Sequence, residues 1–65
     1  MKVILHQPQR REIEITGGKR LAEIAKELDI NLEAHLVVRD STILTRDEFV
    51  QDSDVIEIFP AVSGG

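Results

Sequence analysis

The chain carries one stretch with helical periodicity, and this stretch limits what the other residues can build. Its apolar residues recur at the spacing of one helical face, at Leu21, Ile24, Ala25 and Leu28. The runs on either side show the alternation or the short apolar clusters that are typical of strands. Because one amphipathic helix has one apolar face to bury, we expect the strands to form a single sheet that covers it.

The amino-terminal runs predict a β-hairpin. The first run, "KVILH", is short and apolar, and the second, "REIEIT", alternates between apolar and polar residues. A period of two indicates a strand with one buried face, here the face with Ile13 and Ile15. Gly17-Gly18 then separates the hairpin from the helix. The Lys-Ser/Thr of a phosphate-binding loop does not follow these glycines, so we interpret them as a turn.

The run "HLVVRD" predicts another strand after the helix. We expect Leu36 and Val38 to face the core and Val37 to face outward. Asp40 and Ser41 have the chemistry of a turn, which leads into the short return strand "TILT".

A short helical segment is predicted after the return strand. Thr45 and Glu48 are three residues apart, which is the spacing of a capping box. This spacing predicts one turn of helix that carries Phe49 and Val50.

The run "VIEIF" is the most apolar in the chain and predicts the final strand. We expect Ile56 and Ile58 to face one way and Val55, Glu57 and Phe59 the other. The proline that follows is excluded from the middle of a central strand, so this strand can occupy the interior of the sheet.

The order of elements is therefore strand, strand, helix, strand, short strand, helical turn and strand. This order predicts an α+β domain with the β-grasp arrangement of ubiquitin, a mixed sheet of four to five strands around one main helix. We expect a single domain over residues 1–65, with a flexible carboxy-terminal tail at about 61–65.

Composition excludes several classes of function. The chain has 65 residues, a net charge of −4 and no cysteine. Direct nucleic-acid binding needs clustered basic side chains that displace counterions, and no apolar run approaches the ~20 residues of a membrane span. Without cysteine there is no disulfide and no thiol nucleophile. We therefore expect a cytoplasmic protein that binds neither nucleic acid nor membrane directly.

The chain offers little for catalysis of its own. His6 and His35 match no nucleophile or metal-binding spacing, so we interpret them as strand or loop histidines. An acidic cluster consists of Asp47, Glu48, Asp52 and Asp54. It lacks the spacing of a calcium loop, so we interpret it as turn and capping residues. We expect no metal and no bound cofactor.

Apolar residues on the outer face of the sheet predict a contact surface. We place Val37, Val55 and Phe59 on this face, with Ile4 as a fourth candidate. Single exposed apolar residues are also ordinary in folded proteins, and that alternative stays open.

The end of the chain carries the sharpest functional signal. "FPAVSGG" ends on two glycines directly after an apolar strand, which chance alone produces in roughly one chain in 200. Gly64 and Gly65 have no Cβ atoms, so they can pass through a narrow channel. The terminal carboxylate is then free of steric hindrance, both to be attacked and to attack ATP.

These features resemble the ThiS/MoaD family of sulfur carriers, which have the ubiquitin-like β-grasp fold. The resemblance covers the whole chain and is most specific in "IFPAVSGG" and in the preceding "RDEF…DSDVIEIF". The hairpin "QPQRREIEI" and the ending "VSGG" are most similar to the bacterial carriers for 2-thiolation of tRNA uridine. Carriers for thiamine and molybdopterin biosynthesis are the alternatives, although the latter often have a second proline where Ala61 stands.

The resemblance implies that this chain is a substrate and carrier, not an enzyme. A ubiquitin-activating-type adenylyltransferase would use ATP to adenylate the carboxylate of Gly65. A sulfur donor of the cysteine desulfurase or rhodanese type would convert it to a thiocarboxylate, and a downstream synthase or tRNA thiolase would accept the sulfur. Ser63 and Gly64 would thread the tail into the enzyme, while Phe59, Val62 and the outer face would dock.

Two other functions fit the same residues. One is a protein modifier conjugated through Gly65 to lysines of other proteins. The other is a β-grasp binding module whose tail is unreactive.

Overall fold

A computed structural model of the chain describes residues 1–6 and 9–61, and the strands and helices of these ranges are as follows. The strands are β1 (Lys2–Leu5), β2 (Arg11–Glu14), β3 (Lys19–Arg20), β4 (His35–Arg39), β5 (Thr42–Ile43), β6 (Phe49–Val50) and β7 (Val55–Pro60). The α-helix is α1 (Leu21–Glu27), and a 3-10 helix occupies Leu32–Ala34.

Five of the strands form a mixed sheet with the order β2-β1-β7-β4-β5. The final strand β7 lies at its centre, parallel to β1 and antiparallel to β4. Pro60 is the last residue of β7, so its missing N–H does not interrupt the centre of the sheet. The predicted mixed sheet around one main helix is therefore confirmed, as is the interior position of the last strand.

The core lies between this sheet and α1. The sheet contributes Val3 and Ile56, and the helix contributes Leu21 and Ile24, all of them at most 1% exposed. Leu28 packs against the edge of the same cluster. The helical periodicity of the sequence thus identified the face of α1 that is buried.

The orientation predicted for β4 is wrong. Val37 is 2% exposed and lies in the core, whereas Leu36 is 41% exposed on the opposite face. Val38, half-buried, shares the outer face with Leu36 because side chains alternate along a strand. Because three consecutive residues of β4 are apolar, the sequence does not show which of them face the core. The pairing with β7 determines this orientation, since Val37 lies opposite the buried Ile58.

The helical turn predicted around Phe49 is also wrong. The N–H of Glu48 donates to the carbonyl of Thr45 at 3.1 Å and closes a turn, after which the chain enters β6. Strand β6 pairs with β3, with Val50 opposite Lys19. This pairing buries Val50 completely and leaves Phe49 53% exposed. A partner that is distant in sequence has overridden the local capping signal.

The predicted turn between β4 and β5 is confirmed. Asp40 and Ser41 have φ values of 51° and 66°. Two successive positive φ angles are the mark of a type I′ turn, whose twist matches that of the strands it joins. The turn fixes the hairpin register and places Val38 opposite Ile43.

The orientation of β4 predicts unequal effects for two neighbouring substitutions. Val37→Ala is expected to lower the free energy of unfolding by about 2 kcal/mol, because it removes fully buried methyl groups. Leu36→Ala is expected to lower it by less than about 1 kcal/mol, because part of that side chain stays in water. Urea denaturation measures both, and a larger loss for Leu36→Ala would contradict the orientation.

Candidate functional site

The face of the five-stranded sheet that points away from α1 carries a set of apolar side chains. We call this set the outer patch, and it consists of Ile4, Leu36, Val38, Ile43, Val55 and Phe59. Strand register brings its members together, with Leu36 directly opposite Phe59 and Val38 opposite Ile43. Ile43 and Val55 are 58% and 49% exposed. Grouped apolar side chains on a surface mark a contact site more often than single ones do.

The outer patch agrees only in part with the contact surface predicted from the sequence. Val55, Phe59 and Ile4 lie on the predicted face, but Val37 does not, because it is in the core. Val62 lies outside the described residues.

Leu36, Val38 and Ile43 belong to the outer patch and were not predicted to lie there. One signal in the sequence could have placed Ile43. A two-residue turn at Asp40 and Ser41 pairs Val38 with Ile43, so these two residues must share a face.

A carboxylate lies in the middle of the outer patch. Glu57 is opposite Ile4 of β1 on one side and opposite Val38 of β4 on the other. The Nε2 atom of His6 lies 3.0 Å from Oε2 of Glu57. An ionised carboxylate only accepts hydrogen bonds, so the imidazole N–H is the donor. The same imidazole stacks on the ring of Phe59, with centroids 4.4 Å apart and planes 5° from parallel.

The last described residues of the chain lie beside the outer patch. Strand β7 ends at Pro60, and the N–H of Ala61 donates to the carbonyl of Ala34 at 2.9 Å. The chain thus leaves the end of the central strand within two residues of Phe59. Residues 62–65, with the predicted sites Val62, Ser63, Gly64 and Gly65, lie outside the described residues.

The second histidine has a local role. Nδ1 of His35 lies 2.8 Å from the carbonyl oxygen of Asn31, which requires the N–H to sit on Nδ1. The ring therefore closes the loop around the 3-10 helix. Over residues 1–6 and 9–61, no group of three or more histidines and carboxylates is placed to hold a metal ion.

Asp52 and Asp54 of the acidic cluster bind turn amides, as interpreted from the sequence. Oδ2 of Asp54 accepts hydrogen bonds from the N–H of Gln51 at 2.8 Å and from Arg39 at 3.0 Å. Oδ1 of Asp52 accepts from the N–H of Gly17 at 2.6 Å. In a phosphate-binding loop, the backbone N–H of such a glycine would bind a phosphate. Here the N–H of Gly17 already binds Asp52. Gly17 has φ +91°, which side chains disfavour, so the glycine break is a turn.

Hydrogen bonding lowers the pKa of two surface carboxylates. The N–H of Gly17, and after it the charge of the N-terminal ammonium 3.6 Å away, lower the pKa of Asp52 below its ordinary value of 3.8. The hydrogen bond from Arg10, and after it the charge of Lys2, lower the pKa of Glu12. Both shifts stabilise the ionised forms.

The pKa of Asp52 predicts how stability responds to acid. A carboxyl with a lower pKa in the folded chain than in the unfolded one adds stability above its unfolded pKa, and this is lost as the pH falls through the folded value. Asp52→Asn is therefore expected to lower the free energy of unfolding at pH 7. The difference from the parent chain should shrink as the pH falls below about 4.

Urea denaturation at a series of pH values measures this difference. Asp40→Asn, in the exposed turn between β4 and β5, is the matched control for removal of one negative charge. A difference between Asp52→Asn and the parent chain that is constant from pH 7 to pH 2 would contradict the assignment.

Comparison with known proteins agrees with this fold and this ending. None of the helices in the described ranges is long and apolar enough to cross a membrane. The sulfur carrier protein TtuB of Thermus thermophilus is 38% identical over 65 residues, which cover all of both chains. The crystal structure of the thiamine biosynthesis protein ThiS of Geobacter metallireducens matches with a TM-score of 0.64 at 18% identity, again over all of both chains, and this likeness shows the fold.

The family comparison covers nearly the whole sequence. The model of the ThiS family matches residues 4–65, which includes the second half of β1, all later strands, the helix and the terminal glycines. The family predicted from the tail and the element order is confirmed, and the chain belongs to the ThiS family.

Proposed function

We propose that this chain is a sulfur carrier whose Gly65 carboxylate is converted to a thiocarboxylate. The observation that carries the proposal is the match to a curated sulfur carrier protein, at 38% identity over the full length of both chains. The ThiS family match runs through the last residue, so the terminal glycines lie within the shared sequence.

Activation of the carboxylate needs a partner enzyme, because a carboxylate is a poor electrophile. One oxygen of Gly65 attacks the α-phosphorus of ATP, pyrophosphate leaves, and an acyl-adenylate forms. The terminal sulfur of a persulfide on the donor then attacks the carbonyl carbon, and AMP leaves. A thiol of the partner proteins cleaves the resulting acyl disulfide, which releases the thiocarboxylate and leaves a disulfide on the partner proteins. The chain has no cysteine, so the sulfur comes from another protein. The catalytic groups and the ATP site belong to the partner, a ubiquitin-activating-type adenylyltransferase.

The position of the outer patch supports docking close to the reacting end. The four residues that follow Ala61 span at most about 14 Å when fully extended. The catalytic centre of the adenylyltransferase must therefore come within that distance of Ala61, beside Phe59. We propose that the outer patch and Val62 dock on the enzyme while Ser63 and Gly64 thread the channel.

We propose that the sulfur is used for tRNA thiolation, because the hairpin and the ending of this chain resemble those of the carriers for 2-thiolation of tRNA uridine. Thiamine and molybdopterin biosynthesis are the alternatives. Incubation of the thiocarboxylated chain with a tRNA thiolase and unmodified tRNA, followed by nucleoside analysis, distinguishes them. Formation of 2-thiouridine supports the first destination, and its absence alongside transfer to a thiazole or molybdopterin synthase supports another.

The proposed chemistry predicts a mass change at the terminus. Incubation with ATP, the adenylyltransferase from the same genome and a sulfur donor is expected to raise the intact mass by the exchange of one oxygen for one sulfur. Deletion of Gly64 and Gly65 is expected to abolish this change without altering the fold, because the described core ends before them. Intact-mass spectrometry measures both.

Three outcomes separate the candidate functions. An unchanged mass for the full chain would contradict the sulfur-carrier proposal. Retention of cellular function by the truncated chain would favour a binding module with an unreactive tail. A glycyl-glycine isopeptide on lysines of other proteins would show a modifier function at the same carboxyl.

The docking role of the outer patch predicts a kinetic defect. Leu36→Asp places a charge in the patch and is expected to raise the KM of the adenylyltransferase for this chain by about tenfold or more, because a contact-site charge loses its water on docking. ATP–pyrophosphate exchange measures KM. Phe49→Asp is the matched control, since Phe49 is similarly exposed but lies in the β3–β6 sheet. Equal defects in both variants would contradict docking through the patch.

A further inference from the structure

We propose that Glu57 selects the partner, by requiring a basic side chain opposite the centre of the outer patch. This inference rests on the proposed docking of the outer patch to the adenylyltransferase, and it adds the chemistry of the group that meets it. The occupant is the adenylyltransferase, which presents a guanidinium or ammonium group to the carboxylate.

Glu57 is surrounded by apolar side chains on four sides. Ile4 and Val38 lie opposite it on the neighbouring strands, and Val55 and Phe59 share its face two residues away along β7. Its side chain is 43% exposed, so water still solvates the carboxylate in the free chain. Any protein that covers the outer patch removes that water.

The carboxylate is held in a defined position before docking. His6 donates to Oε2 of Glu57 at 3.0 Å, and its ring is itself fixed by stacking on Phe59 at 4.4 Å. Across residues 1–6 and 9–61, the hydrogen bond from His6 reaches Oε2, one of the two carboxylate oxygens. Within those ranges, no other side chain donates a hydrogen bond to Oε1 of Glu57.

The basic side chains of the two strands beside β7 pair with other carboxylates. Arg39 of β4 binds a carboxylate of the turn before β7, and Lys2 of β1 belongs to an ion cluster around Glu12. Nζ of Lys2 lies 3.5 Å from Oε1 of Glu12, and Nη1 of Arg10 lies 2.9 Å from Oε2 of the same residue. This ion cluster sits at the β2 edge of the sheet. It does not neutralise Glu57 in the centre of the patch.

Covering an ionised carboxylate without a countercharge is unfavourable, so the patch discriminates between surfaces. A purely apolar surface fits its six apolar side chains but leaves Oε1 of Glu57 desolvated and unpaired. A surface with a basic group at the matching point recovers this loss through a charge-assisted hydrogen bond. The net charge of −4 on the chain attracts such a partner from a distance.

Kinetics with the adenylyltransferase of the same genome test this role through Glu57→Gln and Glu57→Lys. Glutamine keeps the size of the side chain and its hydrogen bond to His6 but removes the charge. We expect KM for the chain to rise about threefold to tenfold in Glu57→Gln and more than about tenfold in Glu57→Lys. We expect kcat at saturating carrier to stay within about twofold of the parent, because Glu57 docks the chain and does not touch the reacting atoms.

The dependence of KM on salt concentration separates a lost charge pair from a loss of packing, because a loss of packing would not change this dependence. The KM of the parent chain is expected to rise with ionic strength, and this slope should be smaller in Glu57→Gln, since one attractive charge pair is missing. Glu23→Gln, on the exposed side of α1, is the matched control for net charge and should retain the parent's KM and slope. Circular dichroism and urea denaturation verify that each variant is folded. If Glu57→Lys does not fold, Glu57→Gln still decides the question.

The outcomes separate this inference from the function on which it rests. No activation of the parent chain would overturn the proposed function, and the inference with it. Activation of the parent with an unchanged KM and salt slope in Glu57→Gln would overturn the inference and leave the proposed function standing. Equal shifts in Glu57→Gln and Glu23→Gln would also overturn it, because they would reflect net charge alone.

Discussion

The pairing of β7 with β1 and β4 is the interaction on which the rest of the structure depends. This strand comes last in the chain and lies at the centre of the sheet, parallel to β1 and antiparallel to β4. Its buried face supplies Ile56 and Ile58 to the core against α1. Its other face supplies Val55, Glu57 and Phe59 to the outer surface. One strand therefore supplies the core on one face and, on the other, the surface that we propose for recognition.

Placing the last strand at the centre also fixes where the functional end begins. The chain leaves β7 at Pro60, and one backbone hydrogen bond ties Ala61 to Ala34 beside it. A terminal group that must enter another protein needs a rigid starting point, because a loose one would add ordering entropy to each docking event. The central strand gives that rigidity, and we propose that the partner holds the outer patch next to it.

The charged groups of the surface have structural roles, except for Glu57, for which we propose a role in recognition. Asp54 binds an arginine and the N–H of Gln51 and closes the turn before β7, and Asp52 binds the N–H of Gly17 in the turn between β2 and β3. Glu57 is different, because its surroundings are apolar and its hydrogen-bond partner within the described ranges is a histidine that is itself stacked on the patch. A carboxylate in such a setting constrains what can cover it, which is why we assign it to partner selection.

Much of this protein was determined by local sequence pattern. The period of the helix, the alternation of the hairpin and the apolar final strand predicted one helix under a mixed sheet, and the terminal "VSGG" predicted the family. Tertiary structure decided the rest. In "HLVVRD" three apolar residues in a row have no alternating phase, so only the register with β7 placed Val37 inside and Leu36 outside. Likewise Phe49 and Val50 became a strand because β3 lies beside them. Local patterns report which residues avoid water, whereas strand register, set by partners far along the chain, determines which face each residue occupies.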